Sequence, residues 1–177
     1  MKSKVYFIRV NDPDSAGIIK SKLERLIRAS EALDFIRKGV RVAMKMHFGE
    51  EDNTGYVRPE YIRAISDSLN KKQASHFLSD TNTLYRGRRT NSAEHLKLAY
   101  EHGFTGKACG SRVLIPDDTK KEEISEVLVN RKFIKTAKIA RIFLEADVIL
   151  GIAHFKGHMM TGFAGALKNI GMGCAVR

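Results

Sequence analysis

Hydrophobic and polar positions along this chain switch repeatedly between two periods. Val5–Val10 (VYFIRV) is a short, apolar, β-branched run that predicts a strand. The turn Asn11-Asp12-Pro13-Asp14-Ser15 follows and supplies a helix N-cap. From Ala16 to Ile36 the apolar residues Ile19, Leu23, Leu26, Ile27, Leu33 and Ile36 recur at helical spacing, in one helix or two, with Gly39 as a stop. Val40–Met46 (VRVAMKM) predicts a second strand, and Pro59 suits the first turn of a helix carrying Ile62, Ile65 and Leu69. Ser75–Asp80 predicts a third strand, and a helix runs from about Ser92 to His102, closed by Gly103. Val113–Ile115 predicts a short strand, Ile139–Leu144 a helix, and Asp147–Ala153 (DVILGIA) the most clearly marked buried strand. A last helix is expected near Gly165–Asn169, after a glycine-rich loop.

Strands alternating with helices argue for the α/β class: an open, mostly parallel sheet with helices on both faces. Sites in such sheets form beyond the carboxyl ends of the strands. Here Met46 is followed by His47-Phe48-Gly49-Glu50, the third strand by Asp80-Thr81-Asn82-Thr83, and Ala153 by His154-Phe155-Lys156-Gly157-His158. Polar, chemically capable groups thus follow three strand ends.

Length and composition narrow the class. A chain of 177 residues with 43% apolar content buries ~70% of its unfolded surface, so one α/β domain spanning 1–177 is expected. Two cysteines, Cys109 and Cys174, exclude a disulfide framework and point to a reducing, cytoplasmic compartment. The longest apolar stretch, Val148–Ala153, falls far short of the ~20 residues a spanning helix needs, so no membrane partner is expected. The formal net charge of +11 is partly dispersed along helical segments, with Glu24, Glu31, Glu94 and Glu122 among the cations. No aromatic-interleaved basic stripe appears, which argues against nucleic acid as partner. After Asp147, however, no acidic residue follows, whereas His154, Lys156, His158, Lys168 and Arg177 do. A site built from that end attracts anions.

Four groups of residues could carry chemistry. His154 and His158 lie four apart, and imidazole suits a transition metal, which a Cys174 thiolate could join; the competing reading makes one histidine a loop strut and the other a substrate contact. Gly162 and Gly165 allow close backbone approach to a ligand, and Lys168 adds a positive charge near a helix start. His47, beside Glu50, Glu51 and Asp52, is placed for metal binding or proton transfer. Asp80 and Asn82, followed by Arg86, Arg88 and Arg89, suit the gripping of phosphate or carboxylate. The expected assignment makes His158 and Lys168 catalytic. Asp80, Asn82, Arg88, Gly162 and Gly165 would bind a cofactor, and His47 and His154 a metal.

The phrases KMHFGEEDNTGYVRPEYI, SDTNTLYRGRRTNSAEHLKLAYEHGF and EADVILGIAHFKGHMMTGFAGALKNIGMGC resemble the prokaryotic domain of unknown function three-six-two, commonly labelled an iron–sulphur cluster-binding protein. Members usually continue past the GMGC stretch into a ferredoxin-like module with four-cysteine clusters. This sequence has no C-x-x-C, so the expectation is a naturally short or truncated member that holds no iron–sulphur cluster by itself. A shorter stretch, His158, Gly162, Phe163, Gly165 and Lys168, is similar to a motif of lactate racemases. That resemblance implies a lysine attachment point for a nickel-pincer nucleotide and a histidine acting as acid and base. The expected function is therefore an enzyme, or the catalytic domain of one, that binds an anionic small molecule or cofactor for redox or proton-transfer chemistry. The alternatives are a non-catalytic electron-transfer or docking module for a ferredoxin-like partner, and nucleic-acid binding. A homo-oligomer is compatible with an exposed apolar face.

Overall fold

The computed structural model describes residues 3–177. Its centre is a four-stranded parallel sheet in the order β3-β2-β1-β6, formed by β1 (Arg41–Lys45), β2 (Ser75–Ser79), β3 (Arg112–Leu114) and β6 (Val148–Gly151). Parallel strands need crossovers, and the chain supplies helices for them. These are α2 (Pro59–Lys71) between β1 and β2, then α3 (Ser92–Glu101) and α4 (Gly106–Cys109) between β2 and β3. The protein is α/β, with helices on both faces of the sheet.

The period of two along β1 divides the core. Val42, Met44 and Met46 join Leu78, Ile62, Leu69 and Phe104 in one apolar cluster beneath α2 and α3. Ala43 joins Phe77, Ala140, Phe143 and Cys174 on the opposite face, under α5 (Arg141–Leu144) and α6 (Ala166–Gly173). α2 starts with Pro59 in its first turn, where a missing N–H is harmless. α3 starts on Asn91, whose side chain accepts from the Glu94 N–H at 2.9 Å. α1 (Ala16–Ser30), capped by Ser15, ends on Glu31 in the left-handed region (φ 53°) and packs on α2, where Lys20 pairs with Asp67.

Three segments depart from the sequence expectation. Val5–Val10 is not a strand: no neighbouring strand pairs with it, and Val5 and Phe7 are 89% and 85% exposed. Ile139–Leu144 is split, because β5 (Thr136–Ala140) pairs antiparallel with β4 (Ile124–Leu128) and only Arg141–Leu144 is helical. The strand in Asp147–Ala153 forms the sheet edge rather than its most buried element, leaving Ile149 38% exposed. The glycine-rich stretch after it carries a small hairpin, β7 (Lys156–His158) and β8 (Gly162–Ala164), turning near Gly162 at φ +73°. No helix among the described residues is long and apolar enough to cross a membrane.

Leu78→Ala is expected to lower stability by about 2–5 kcal/mol, because Leu78 is fully buried between β1 and β3. Phe7→Ala is expected to change it by no more than about 0.5 kcal/mol. Urea unfolding of both variants checks the division between core and N-terminal segment.

Candidate functional site

The chain runs from β1 outward through β2 to β3, then returns to place β6 on the other side of β1. The loops after β1 and β6 therefore diverge, and a crevice opens at the carboxyl ends of these two strands. A cavity of about 280 Å³ lies there. His47 and Glu50 reach it from the loop after β1, Tyr85 and Arg89 from the loop after β2, and Ala153 and His154 from the end of β6. The β7–β8 hairpin and the start of α6 complete the wall. Strand alternation turns Lys156, His158 and Ala164 toward the cavity, while Phe155 and Phe163, whose rings lie 5.6 Å apart, are absent from its lining.

Below the cavity is a buried charge network. Lys45, 1% exposed, donates to Asp80 Oδ1 at 2.8 Å, Asn169 Oδ1 at 2.7 Å and the Met46 carbonyl at 3.2 Å. Asn169 returns its amide hydrogens to the Lys45 and Ile152 carbonyls, tying α6 to β1 and to the end of β6. Arg89 donates to Glu50 at 2.8 Å and lies 3.5 Å from Asp80 Oδ2. Burial pushes the Asp80 carboxyl up, but Lys45 and Arg89 outweigh it and hold the group below its ordinary value. Gly173 belongs to the same arrangement. A Cβ there would meet Lys45 Cε at 2.7 Å and Asp80 Oδ1 at 3.2 Å, so only glycine lets the end of α6 lie on this pair.

The charges sort by depth. Lys45 and Arg89 are matched by Asp80 and Glu50, so the interior is nearly neutral. Lys156 and Lys168 line the cavity, and neither is paired with a carboxylate among the described residues. The first turn of α6 also opens here: Gly165 lines the cavity and provides no side-chain cap for the helix amides. Together these features favour a negative ligand. Tyr85 donates its hydroxyl to Glu50; burial and that bond push its pKa up to about 12, so it stays protonated.

Two of the cavity histidines, His47 and His158, present hydrogens rather than lone pairs. His47 Nδ1 accepts from the Gly49 N–H at 2.8 Å, so the neutral ring carries its proton on Nε2. Burial, reinforced by Arg89, lowers the His47 pKa to about 3 and keeps that ring neutral. His158 Nδ1 accepts from the Met160 N–H at 3.2 Å, again leaving an Nε2 hydrogen in the neutral ring. A metal ligand would need the opposite tautomer, with a bare Nε2 and a protonated Nδ1. Among the described residues no three His, Cys, Asp or Glu side chains converge as a metal site. His47 and His154 share the cavity wall, and with a hydrogen on His47 Nε2 only His154 of the pair has an uncommitted ring nitrogen. Nor does Cys174 join the histidines: it is buried in the core cluster on one face of the sheet, Cys109 in the cluster on the other, and burial raises both thiol pKa values. The two cysteines cannot ligate one iron–sulphur cluster together.

The remaining expected ligand residues divide. Gly165, His154, His158 and Lys168 lie on the cavity wall, and Asp80 lies under it. Asn82 is a strut instead: it donates to Ser92 Oγ and Asp118 Oδ1, and its oxygen faces His95 Nδ1 at 3.3 Å. Arg88 is held on the surface by Glu101, with Glu51 and Glu94 nearby, and its neighbour Arg89 turns inward in its place. Gly162 serves the hairpin turn and does not line the cavity. Arg89 belongs to the arginine run that the sequence points to, although Arg88 is the one expected at the site, whereas Lys45 and Tyr85 are not expected there. The one available signal was a lysine standing alone in the apolar strand VRVAMKM.

The fold is thus an open parallel α/β sheet with a cation-lined crevice at its switch point. A family model described as a domain of unknown function (DUF362) matches residues 42–177. The chain belongs to that family. The match begins in β1 and includes every residue of the cavity, leaving α1 and the segment before it outside. A search of curated proteins returns no match.

Two outcomes are expected from this geometry. Asp80→Asn removes the partner of two buried cations and should cost about 3–5 kcal/mol in urea unfolding. The double change Lys45→Met with Asp80→Leu should cost less, because it leaves no unpaired buried ammonium and Arg89 keeps Glu50. His95 is fully buried, and burial lowers its pKa to about 4. Between that value and 6.5 the unfolded chain binds a proton that the native state does not, so stability falls as pH falls. The loss from His95 is ~2 kcal/mol between about pH 6.5 and about pH 5, and His95→Gln should flatten that slope.

Proposed function

We propose that the cavity binds a small anionic molecule or cofactor, carboxylate or phosphate in character, and moves a proton next to its charged group. The observation that carries this reading is the pair of uncompensated lysines, Lys156 and Lys168, on a concave wall at the switch point of the sheet. Lys168 sits in the first turn of α6, so its ammonium and the helix amides act on the same ligand oxygen region. Lys156 approaches from the hairpin on the other side. Arg89, fixed between Glu50 and Asp80, provides a rigid donor behind them.

The histidines have different roles in this proposal. His47, kept neutral by burial, donates an uncharged hydrogen bond from Nε2 and orients the ligand. His158 is less enclosed and is the proton carrier: its Nε2 hydrogen is directed by the Met160 amide behind the ring. His154 lines the opposite edge and is available to the same ligand. Such an assembly supports acid–base chemistry beside a carboxylate, with an isomerase or an oxidoreductase as the enzyme class.

Isothermal titration with inorganic phosphate and a panel of small carboxylates tests the reading. Lys168→Ala should weaken the best-binding anion roughly tenfold to a hundredfold, the worth of one charged hydrogen bond, without moving the urea midpoint. His158→Asn should leave affinity within a few fold and remove turnover of any substrate found. Equal anion affinity in wild type and Lys168→Ala would refute the assignment.

A further inference from the structure

The β4–β5 hairpin stands apart from the cavity and plays no part in it. Its base is anchored: Ala140 is buried in the second core cluster, Ala140 N–H donates to the Cys174 carbonyl at 3.0 Å, and Val176 N–H donates to the Lys138 carbonyl at 3.0 Å. Its far end is closed by bonds from the Asn130 N–H to the Lys135 carbonyl at 2.9 Å and from the Arg131 N–H to the Ile134 carbonyl at 2.8 Å. The turn therefore places Lys132 and Phe133 at the apex. Every residue from Leu128 to Thr136 is exposed, and Phe133 is 88% exposed. Leu128, Val129 and Ile134 are exposed beside it.

An apex of this kind is costly to keep in water, because it holds apolar side chains out of the core in an ordered turn. Its charge is equally one-sided. Arg131, Lys132, Lys135 and Lys138 lie on it, and from Leu128 to Ala140 there is no carboxylate. The nearest, Glu126, faces Lys138 across the register at the base. Lys132 Nζ lies 5.1 Å from the Phe133 ring centroid, so cation and aromatic occupy one side of the tip.

We infer that this hairpin is an anchor for an anionic lipid surface, with Phe133 and Ile134 entering the headgroup boundary and the surrounding cations engaging lipid phosphates and carboxylates. Aliphatic side chains decide between anionic partners. A nucleic acid rewards aromatic faces that stack on bases, and Leu128, Val129 and Ile134 offer none. A bilayer interface accepts aliphatic and aromatic groups alike, and a ring of Lys and Arg adds attraction that disappears beyond a Debye length. A hairpin apex needs only two or three apolar residues for this, which is why no long hydrophobic stretch marks it in the sequence.

Co-sedimentation of the full chain with vesicles of phosphatidylcholine and phosphatidylserine, against phosphatidylcholine alone, tests the inference. Binding to the anionic vesicles at low ionic strength, weakened by salt, is expected. Phe133→Ser with Ile134→Ser should weaken it roughly tenfold, through lost apolar insertion alone. Lys132→Glu with Lys135→Glu, a change of four unit charges, should weaken it roughly five-hundredfold or more, at about fivefold per unit of charge. Both pairs change exposed residues, so circular dichroism should show an unaltered fold. Failure of the folded wild type to bind anionic vesicles would overturn the inference, as would binding indifferent to Phe133→Ser with Ile134→Ser. Tighter binding of single-stranded RNA than of vesicles through Phe133 would also overturn it, in favour of a nucleic-acid contact.

Discussion

A lysine and an aspartate buried between the sheet and its last helix organise this molecule. Lys45 comes from β1, Asp80 from the end of β2, and Asn169 and Gly173 from α6, so one cluster of contacts joins three elements far apart in sequence. Taking two charges out of water costs several kcal/mol for each, and only close pairing with further hydrogen bonds offsets it. Lys45 has three acceptors, which meets that condition. The pair contributes little net stability by this balance; what it supplies is position. α6 can settle in only one way over a buried ammonium, with Gly173 against it and the Asn169 amide returning bonds to Lys45 and Ile152.

Position then becomes electrostatics. With α6 held at its far end, its first turn points Gly165 and Lys168 into the crevice between the ends of β1 and β6. Asp80 lies beneath and Glu50 on the wall, both spent on Lys45 and Arg89, and the lysines on the wall have no carboxylate partner. Charges of both signs are thus present at the site: Glu50 on the wall is paired with Arg89, and the unpaired charges facing the cavity are positive. Burial keeps His47 neutral, so the positive character of the wall comes from the lysines and His47 adds an uncharged donor.

Local pattern was a reliable guide where one element satisfied itself. The Pro59 helix, the Asn91-capped helix and the strand around Met44 all follow their period and their caps. It was a poor guide where pairing decides. Val5–Val10 has strand composition but no partner, and Thr136–Ala140 is a strand because Ile124–Leu128 lies beside it. Arg88 and Arg89 are indistinguishable in sequence; a single step around a short helical turn sends one to Glu101 on the surface and the other to Asp80 in the interior. Asn82 has the chemistry of a ligand contact, yet Ser92, Asp118 and His95 occupy its hydrogen-bonding groups.

The amino-acid sequence by itself determined the α/β class, the alternation of strands and helices around β1 and β2, and the cationic character of the segment after Asp147, because periodicity and charge are properties of consecutive residues. It also carried the family phrases from β1 onward. Only the tertiary structure decided that β6 pairs with β1 and opens the crevice, that Arg89 rather than Arg88 stands behind it, and that Lys45 is buried and paired. Each of those depends on which groups meet across the sheet, and a desolvated charge is stable only beside the particular partner that folding brings to it.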